Sequence, residues 1–227
     1  MKAEASPTRR EARRNSLYEK VMAAAIASFA SAGFEGTTIP EVMQRAGVGA
    51  GSLYRLFPSK EALFNAAFRD AKGRMARAVE VALTAALLSG ARDADDAARA
   101  RATFDALWDA LVAFAAEEPV TFRFLELHHH AAHLDPESQR LERAVLEPLR
   151  ALVVDFQARG VLRGDVPAEA VIAFVWGALV GLVKAETLGY LRLAGAIAET
   201  TRDACFRAFA VPHHDPGARA AKKKRRT

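Results

Sequence analysis

The chain has 227 residues, of which 51% are hydrophobic, enough to bury a core in one extended domain or in two. Its single cysteine, Cys205, excludes an internal disulfide and a cysteine-ligated zinc site, and we expect it to pack in the last helix. We expect neither export nor membrane insertion. The N-terminus lacks an apolar signal region, and the longest apolar run, residues 170–183, is shorter than the roughly 20 residues that span a bilayer. Abundant Ala and few β-branched residues favour an all-α fold, and the composition as a whole agrees with a cytoplasmic protein.

The formal net charge of +5 is distributed unevenly along the chain. Residues 1–75 hold 12 Lys or Arg against 7 Asp or Glu, and residues 213–227 hold 6 against 1. The segment between them is acidic, with 14 against 19. Positive charge at the two ends favours a polyanionic partner, although a solvated basic surface and a solubilising tail predict the same pattern.

The first residues, 1–13, are polar and are predicted to form a flexible basic arm. Such an arm is suited to a minor groove, and a solubilising disordered end is the alternative. Helix 1 is predicted to begin at Ser16, with Glu19 completing a capping box. The arginines of the arm and its edge are Arg9, Arg10, Arg13 and Arg14, and the inner stripe of helix 1 is Val21, Ala25, Phe29 and Ala32.

Residues 37–60 have the spacing of a helix-turn-helix. Thr38 is predicted to cap the first of its helices, with Glu41 three residues later as the partner of a capping box. Gly47 allows the positive φ that the turn needs, and the second helix, 50–56, is only about two turns long. Small residues at its start suit close approach to a flat partner, and the major groove of DNA admits a helix of this kind.

A set of residues stands at fixed offsets between positions 14 and 64: Phe29, Gly33, Phe34, Thr37, Thr38, Ala46, Gly47, Val48, Leu53, Tyr54, Phe57, Lys60 and Glu61. In these residues the chain resembles the DNA-binding region of the TetR/AcrR family of bacterial transcriptional regulators. The resemblance implies an all-α homodimer that binds double-stranded DNA and a small-molecule effector. It also implies a DNA-binding domain at 14–64, a ligand-binding and dimerisation domain at 65–211 and a disordered basic tail at 212–227.

The same resemblance implies which residues contact DNA. Thr37 and Thr38 would present hydroxyls and a helix N-terminus to phosphate. Tyr54 and Lys60 would bracket the backbone, unless Tyr54 packs against helix 1. The residues on or beside the edge that faces the bases are Ala50, Gly51, Ser52, Arg55 and Leu56. Three positions depart from the family pattern: Gly49 replaces a capping Ser, Ala50 replaces a polar reader, and Pro40 is unusual in the first turn of helix 2.

Six further helices are predicted beyond the motif, which gives about nine in all. In chain order, Ser59 caps helix 4, which extends to about Leu88, and Phe104 to Phe114 mark helix 5. Pro119 opens helix 6, Pro136 opens helix 7, and Pro148 kinks helix 7. Helix 8 begins near 165–167, and helix 9 runs from 197 to 209.

Helix 8 is apolar nearly all round, which indicates burial on more than one side. In the family that the chain resembles, the last two long helices of each subunit pack as a four-helix dimer interface. A helix buried within the monomer is the alternative. The predicted interface residues are Phe174, Gly177, Val180, Gly181, Lys184 and Phe206.

A pocket for an apolar or aromatic effector is predicted inside the C-terminal helices. Its candidate residues are Trp108, Phe122, Leu127, His128, Phe156, Phe174 and Trp176, and ordinary core packing is the alternative for most of them. Effector binding would change the separation of the two reading helices through helix 4 and release DNA. The resemblance, by family habit, implies a repressor that leaves a palindromic operator.

Residues 128–130 and His133 form the one chemically conspicuous cluster. His129 and His133 have a spacing that holds a metal on a helix, but we favour an ordinary effector-domain helix without metal. A zinc protease motif, a phosphate loop and a nucleophile elbow are absent from the sequence, so we expect no cofactor and no enzyme activity. Two rival hypotheses remain: a DNA-bound architectural or constitutive regulator without ligand, and a metal-dependent enzyme or sensor built on the histidines.

Overall fold

The computed structural model of the protein describes residues 9–88, 95–126 and 130–212. These residues form nine α-helices and one 3-10 turn, and no strand occurs among them, which confirms the predicted all-α class. The helices are α1 Arg9–Gly36, α2 Ile39–Ala46, α3 Ala50–Leu56, α4 Lys60–Leu88, α5 Asp96–Glu117, α6 Pro119–Glu126, α7 Pro136–Ala158, α8 Ala168–Thr187 and α9 Gly195–Arg207, with the 3-10 turn at His130–His133.

Helix α1 begins at Arg9, seven residues before the predicted cap at Ser16. The prediction of a helix start at Ser16 is therefore wrong, and residues 9–13 of the predicted arm are helical in backbone. Arg, Glu and Ala are strong helix formers, so the helix extends back through this segment, and Ser16 lies in its interior. The regular part of α1 ends at Gly33, whose φ of 69° and ψ of −177° no helix accommodates.

The two short helices are capped as their sequences predict. Thr38 Oγ1 accepts a hydrogen bond from the Glu41 amide at 3.4 Å, while the Thr38 amide donates to Glu41 Oε2 at 3.0 Å. Gly47 has a φ of 66°, and the amides of Gly47 and Val48 donate to carbonyls of the preceding turn. Gly49 caps α3 without a side-chain hydrogen bond. These contacts confirm the capping box and the glycine turn.

The chain divides into two compact units, of which the first combines Met1–Ala85 with Ala106–Glu147. The core of this unit joins α1, α2, α3 and α4 around buried aromatic rings. Phe29 lies edge-on to Phe64, with ring centroids 5.0 Å apart, and Phe124 of α6 packs against both rings. The cluster thus extends past residue 64, because Phe68 and Ala71 of α4 also belong to it.

The second unit combines Ala86–Asp105 with Pro148–Thr227. Its core contains Phe156 of α7, Val171 of α8 and Phe209 beyond α9. A short antiparallel pairing closes it, in which the Arg163 amide donates to Phe209 O and the Val211 amide donates to Val161 O. Cys205 is buried in α9, as predicted, and burial raises the pKa of its thiol.

Helix α8 is long and apolar enough, by length and composition alone, to cross a membrane, with a mean hydropathy of 1.8 over its most apolar window. The helix is thus longer than the apolar run counted in the sequence. Only 17% of this most apolar stretch of α8 is buried within the chain. Full burial within one chain is confined to Ala168, Val171 and Leu179 of this helix, and the dimer interface stays a prediction.

Candidate nucleic-acid interface

Helix α3 is anchored to the protein by one side and open on the other. Leu53 is completely buried in the aromatic core, and Leu56 is partly buried beside it. Ala50, Gly51 and Arg55 are exposed. A helix of seven residues is too short to be stable in isolation, so the burial of Leu53 holds α3 in place. The structure brings the predicted base-facing residues together on this single element.

Tyr54 is 52% exposed on α3. An aromatic contact of α1 with the motif is instead made by Tyr18, whose ring lies 5.9 Å from that of Phe57. The alternative in which Tyr54 packs against helix 1 is therefore not favoured, since half of the side chain faces solvent. An exposed tyrosine presents a hydroxyl that donates to phosphate oxygens.

Thr37 occupies a different environment from the one that the sequence predicted. Its side chain is buried, and its hydroxyl donates a hydrogen bond of 2.7 Å to the carbonyl oxygen of Gly33. This bond satisfies a carbonyl left open where α1 loses its regular geometry. The Thr37 hydroxyl is thus used inside the protein and is not presented to phosphate.

Thr38 is exposed at the N-terminus of α2. In the capping box its Oγ1 accepts a hydrogen bond from the Glu41 amide, and its hydroxyl donates to the Glu41 carboxylate. Hydrogen bonds from the backbone and hydroxyl of Thr38 hold the pKa of Glu41 below its usual value, so this carboxylate stays charged beside the helix terminus. Contact of Thr38 with phosphate stays a prediction.

Lys60 links the start of α4 to the loop between α1 and α2. Its Nζ donates to Phe34 O at 2.9 Å and to Thr37 O at 3.2 Å, and it lies 4.3 Å from the centroid of the Phe34 ring. An ammonium has three protons, so one remains for an outer partner. Lys60 positions the motif, and its contact with phosphate stays a prediction.

Ser59 caps α4 as predicted, because its Oγ accepts a hydrogen bond of 3.1 Å from the Ala62 amide. The contacts that follow along α4 were not predicted from the sequence. Asn65 donates to His133 O and accepts from the Asp135 amide, and Arg69 donates to both carboxylate oxygens of Asp135. These contacts join positions 66 to 70 residues apart in the chain, and no local pattern encodes such a pair.

His133 packs in the first unit as an aromatic residue. Its ring stacks on Phe34 at a centroid distance of 4.0 Å, and its Nε2 lies 4.0 Å from Glu35 Oε1. The turn that contains it is 3-10 rather than α-helical, and His128 and His129 lie outside the described residues. In the ranges that the structure describes, no group of three metal-ligating side chains is found.

The predicted effector residues are divided between the two units. Trp108 and Phe122 are buried in the first unit, and Phe156 is buried in the core of the second. Phe174 is 54% exposed and Trp176 partly buried, while Leu127 and His128 lie outside the described residues. The effector pocket stays a prediction.

Most of the predicted interface residues of α8 are exposed. Phe174, Gly177 and Gly181 are exposed, and a Cβ added to either glycine would meet nothing within 4 Å. Packing within the chain therefore does not require glycine at these two positions. Of the other interface candidates, Lys184 is exposed, whereas Val180 and Phe206 are partly buried.

A helix-turn-helix with an open second helix, followed by a larger all-α region, defines a class of DNA-binding regulators. Comparison with family models supports this class and specifies it. Residues 21–67 match the model of bacterial regulatory proteins of the tetR family, and residues 86–211 match the Tetracyclin repressor-like C-terminal domain. The chain therefore belongs to the TetR family of transcription regulators. It is a DNA-binding regulator rather than an enzyme, and its N-terminal domain binds the DNA.

Solved structures agree with the fold. A TetR family transcription regulator from Marinobacter aquaeolei VT8 is 22% identical, with 88% of this chain and 98% of that chain covered and a TM-score of 0.70. A putative tetR family transcription regulator from Shewanella sp. PV-4 is 23% identical over 86% and 98%, with a TM-score of 0.69. The fatty acid degradation regulator FadR from Bacillus halodurans is 14% identical over 89% and 97%, with a TM-score of 0.64. No curated protein matches the chain.

Proposed function

We propose that the protein is a homodimeric, cytoplasmic repressor that binds a palindromic operator and leaves it when an apolar or aromatic effector binds. The observation that carries this proposal is that one side of α3 packs on the protein core while the other side is exposed. Leu53 fixes the helix, while Gly51, Tyr54 and Arg55 are exposed. A short helix with this division fits the major groove, where an arginine donates to guanine and a methyl group contacts thymine.

The open surface of α8 supports the dimer. A soluble monomer seldom exposes an apolar helix of this length, and most of its window is unburied within one chain. A second copy would cover the same surface on both subunits, as two-fold symmetry requires. Two-fold symmetry also explains a palindrome, because each subunit reads one half-site and neither α3 alone makes enough contacts.

Aromatic side chains in the C-terminal region support an apolar effector. Trp108, Phe122 and Phe156 are buried, and such residues line most small-molecule sites in proteins. Effector binding would favour the subunit arrangement in which the two α3 helices no longer match successive major grooves. A difference in affinity of a few kcal/mol between the two arrangements is sufficient for release.

Selection of bound DNA from random duplexes tests the proposal. The full chain should enrich an inverted repeat, and Ser52→Ala or Arg55→Ala should change the preferred bases at positions symmetric about its centre. The matched control is Arg45→Ala, which removes an exposed arginine of α2 and should leave the preference unchanged. Binding without any sequence preference would contradict the operator and favour an architectural DNA-binding protein.

The effector is tested separately with the selected duplex. Apolar and aromatic compounds are screened for release of DNA by the purified protein, and we expect at least one class to lower the DNA affinity. If operator binding does not respond to any compound of these classes, the protein is a constitutive regulator and the effector part of the proposal fails.

A further inference from the structure

A basic groove on α1 lies outside the residues that the helix-turn-helix motif predicts for DNA contact. The groove has a volume of about 660 Å³ and runs beside the turn between α2 and α3. Its wall on the side of the turn is Gly47 and Val48, and Leu17 forms part of its floor. The remaining lining residues are polar or basic: Arg9, Arg13, Ser16 and Lys20.

The spacing of these residues makes them one continuous row. Arg9, Arg13 and Lys20 are separated by four and seven positions, so at about 100° per residue they fall within about 40° of one another. The row extends about 16 Å along the helix at a rise of about 1.5 Å per residue. All three side chains are exposed.

The charge of the row is not neutralised within the protein. None of the three cations has an ion-pair partner in the part of the chain that the structure describes, and no acidic side chain is among those that line the groove. Two arginines of α4 are instead paired, Arg69 with Asp135 and Arg74 with Asp70 and Glu118. Unpaired cations aligned beside the reading element favour an anionic partner of regular spacing.

We infer that Arg9, Arg13 and Lys20 bind the phosphates of one strand of duplex DNA and so extend the contact of each subunit beyond the helix-turn-helix. This inference rests on the proposed function and adds a second contact surface to it. Duplex DNA carries one phosphate per roughly 3.4 Å of axis on each strand, so a row of this length faces several phosphates. The contacts contribute affinity and orientation without base preference.

The salt dependence of DNA binding measures these contacts. With the duplex selected for the wild-type protein, the slope of log K against log salt should become shallower by about two units in Arg13→Ala/Lys20→Ala, because each lost phosphate contact removes about 0.9. The preferred base sequence should not change. Arg13→Gln/Lys20→Gln is measured in parallel, since it keeps long polar side chains on α1 and guards against a folding defect.

Arg77→Ala is the control. Arg77 is an exposed arginine of α4 that does not line the groove. This variant should leave the slope unchanged. An unaltered slope in both double variants, or an equal effect of Arg77→Ala, overturns the inference while operator binding by the wild type stands. Failure of the wild-type protein to bind any duplex refutes the proposed function instead, and the phosphate contacts with it.

Discussion

At the scale of single residues, two adjacent threonines have opposite environments. The Thr37 side chain is buried and bonded to Gly33 O, whereas Thr38 is exposed and accepts from the Glu41 amide. The sequence places both at the start of α2, and the same role was expected of each. Only the structure separates them, because the irregular backbone at Gly33 turns the Thr37 hydroxyl inward.

Substitution of each threonine tests this difference. Thr37→Val keeps the shape of the side chain but leaves the Gly33 carbonyl without its donor. The free energy of unfolding should therefore fall by about 1–3 kcal/mol, with little change in DNA affinity at temperatures where the variant is folded. Thr38→Ala should lose about 1 kcal/mol with the cap and should also weaken DNA binding. Urea denaturation and DNA titration measure both effects. Weaker binding by folded Thr37→Val with unchanged stability would contradict the assignment.

At the scale of elements, α3 begins without the side-chain cap that α2 has. Gly49 occupies its cap with a φ of −79° and a ψ of 155°, a conformation that any residue adopts, and a Cβ there would meet nothing within 4 Å. Serine at this position would supply the acceptor that the first amides of α3 lack. The cap is thus weak because of residue type and not because of backbone geometry.

Gly49→Ser should raise the free energy of unfolding by a few tenths of a kcal/mol, the usual difference between glycine and a side-chain cap. Gly47→Ser is the matched comparison, because Gly47 has a φ of 66° and serine is strained there. That variant should be less stable than the wild type by about 1 kcal/mol. Thermal unfolding of the two variants shows whether each substitution raises or lowers the stability. If both substitutions change the stability in the same direction, this account of the turn is contradicted.

The junction between the 3-10 turn and α7 is a second element whose stability depends on a specific charge. Partial burial opposes ionisation of Asp135, but hydrogen bonds from Ser138 and Arg69 outweigh it and hold its pKa below the usual value. A carboxyl with a lowered pKa in the folded state stabilises the fold above its unfolded pKa of about 3.9. That stabilisation is lost as the pH falls through the folded pKa.

Asp135→Asn should therefore be less stable than the wild type at neutral pH, and the difference should shrink below about pH 4. Urea denaturation at about pH 7, 5 and 3 measures it. Glu19→Gln is the control, since Glu19 is exposed and has no ion-pair partner among the described residues. A difference between wild type and Asp135→Asn that stays constant with pH would show that the carboxylate charge plays no part.

The local elements could be predicted from the sequence because their signals lie within a few residues of one another. Thr38 with Glu41, the positive φ of Gly47 and the cap at Ser59 all belong to this kind. The start of α1 could not be predicted from the sequence, because a serine with a glutamate three positions later also fits a helix interior. The contacts of Asn65 with the segment near Asp135 depend on distant residues that only the folded chain brings together.

At the scale of the whole molecule, the open surface of α8 should determine whether two subunits assemble. Gly177 is exposed, and an added side chain there meets nothing within its own chain. Gly177→Glu should therefore leave the monomer folded, because the charge stays in water. It should prevent a second α8 from approaching closely, because assembly would bury an unpaired carboxylate.

We expect Gly177→Glu to sediment as a monomer at concentrations where the wild type is dimeric, with a circular dichroism spectrum like that of the wild type. Its operator affinity should fall by at least tenfold, since each monomer holds one half-site and the second α3 no longer benefits from the first. Val81→Lys is the control, because Val81 is 70% exposed on α4, outside the predicted interface. If the Gly177→Glu variant is still a dimer, the subunit contact lies elsewhere. If the wild-type protein binds the palindrome at full affinity as a monomer, α8 is not needed for DNA recognition.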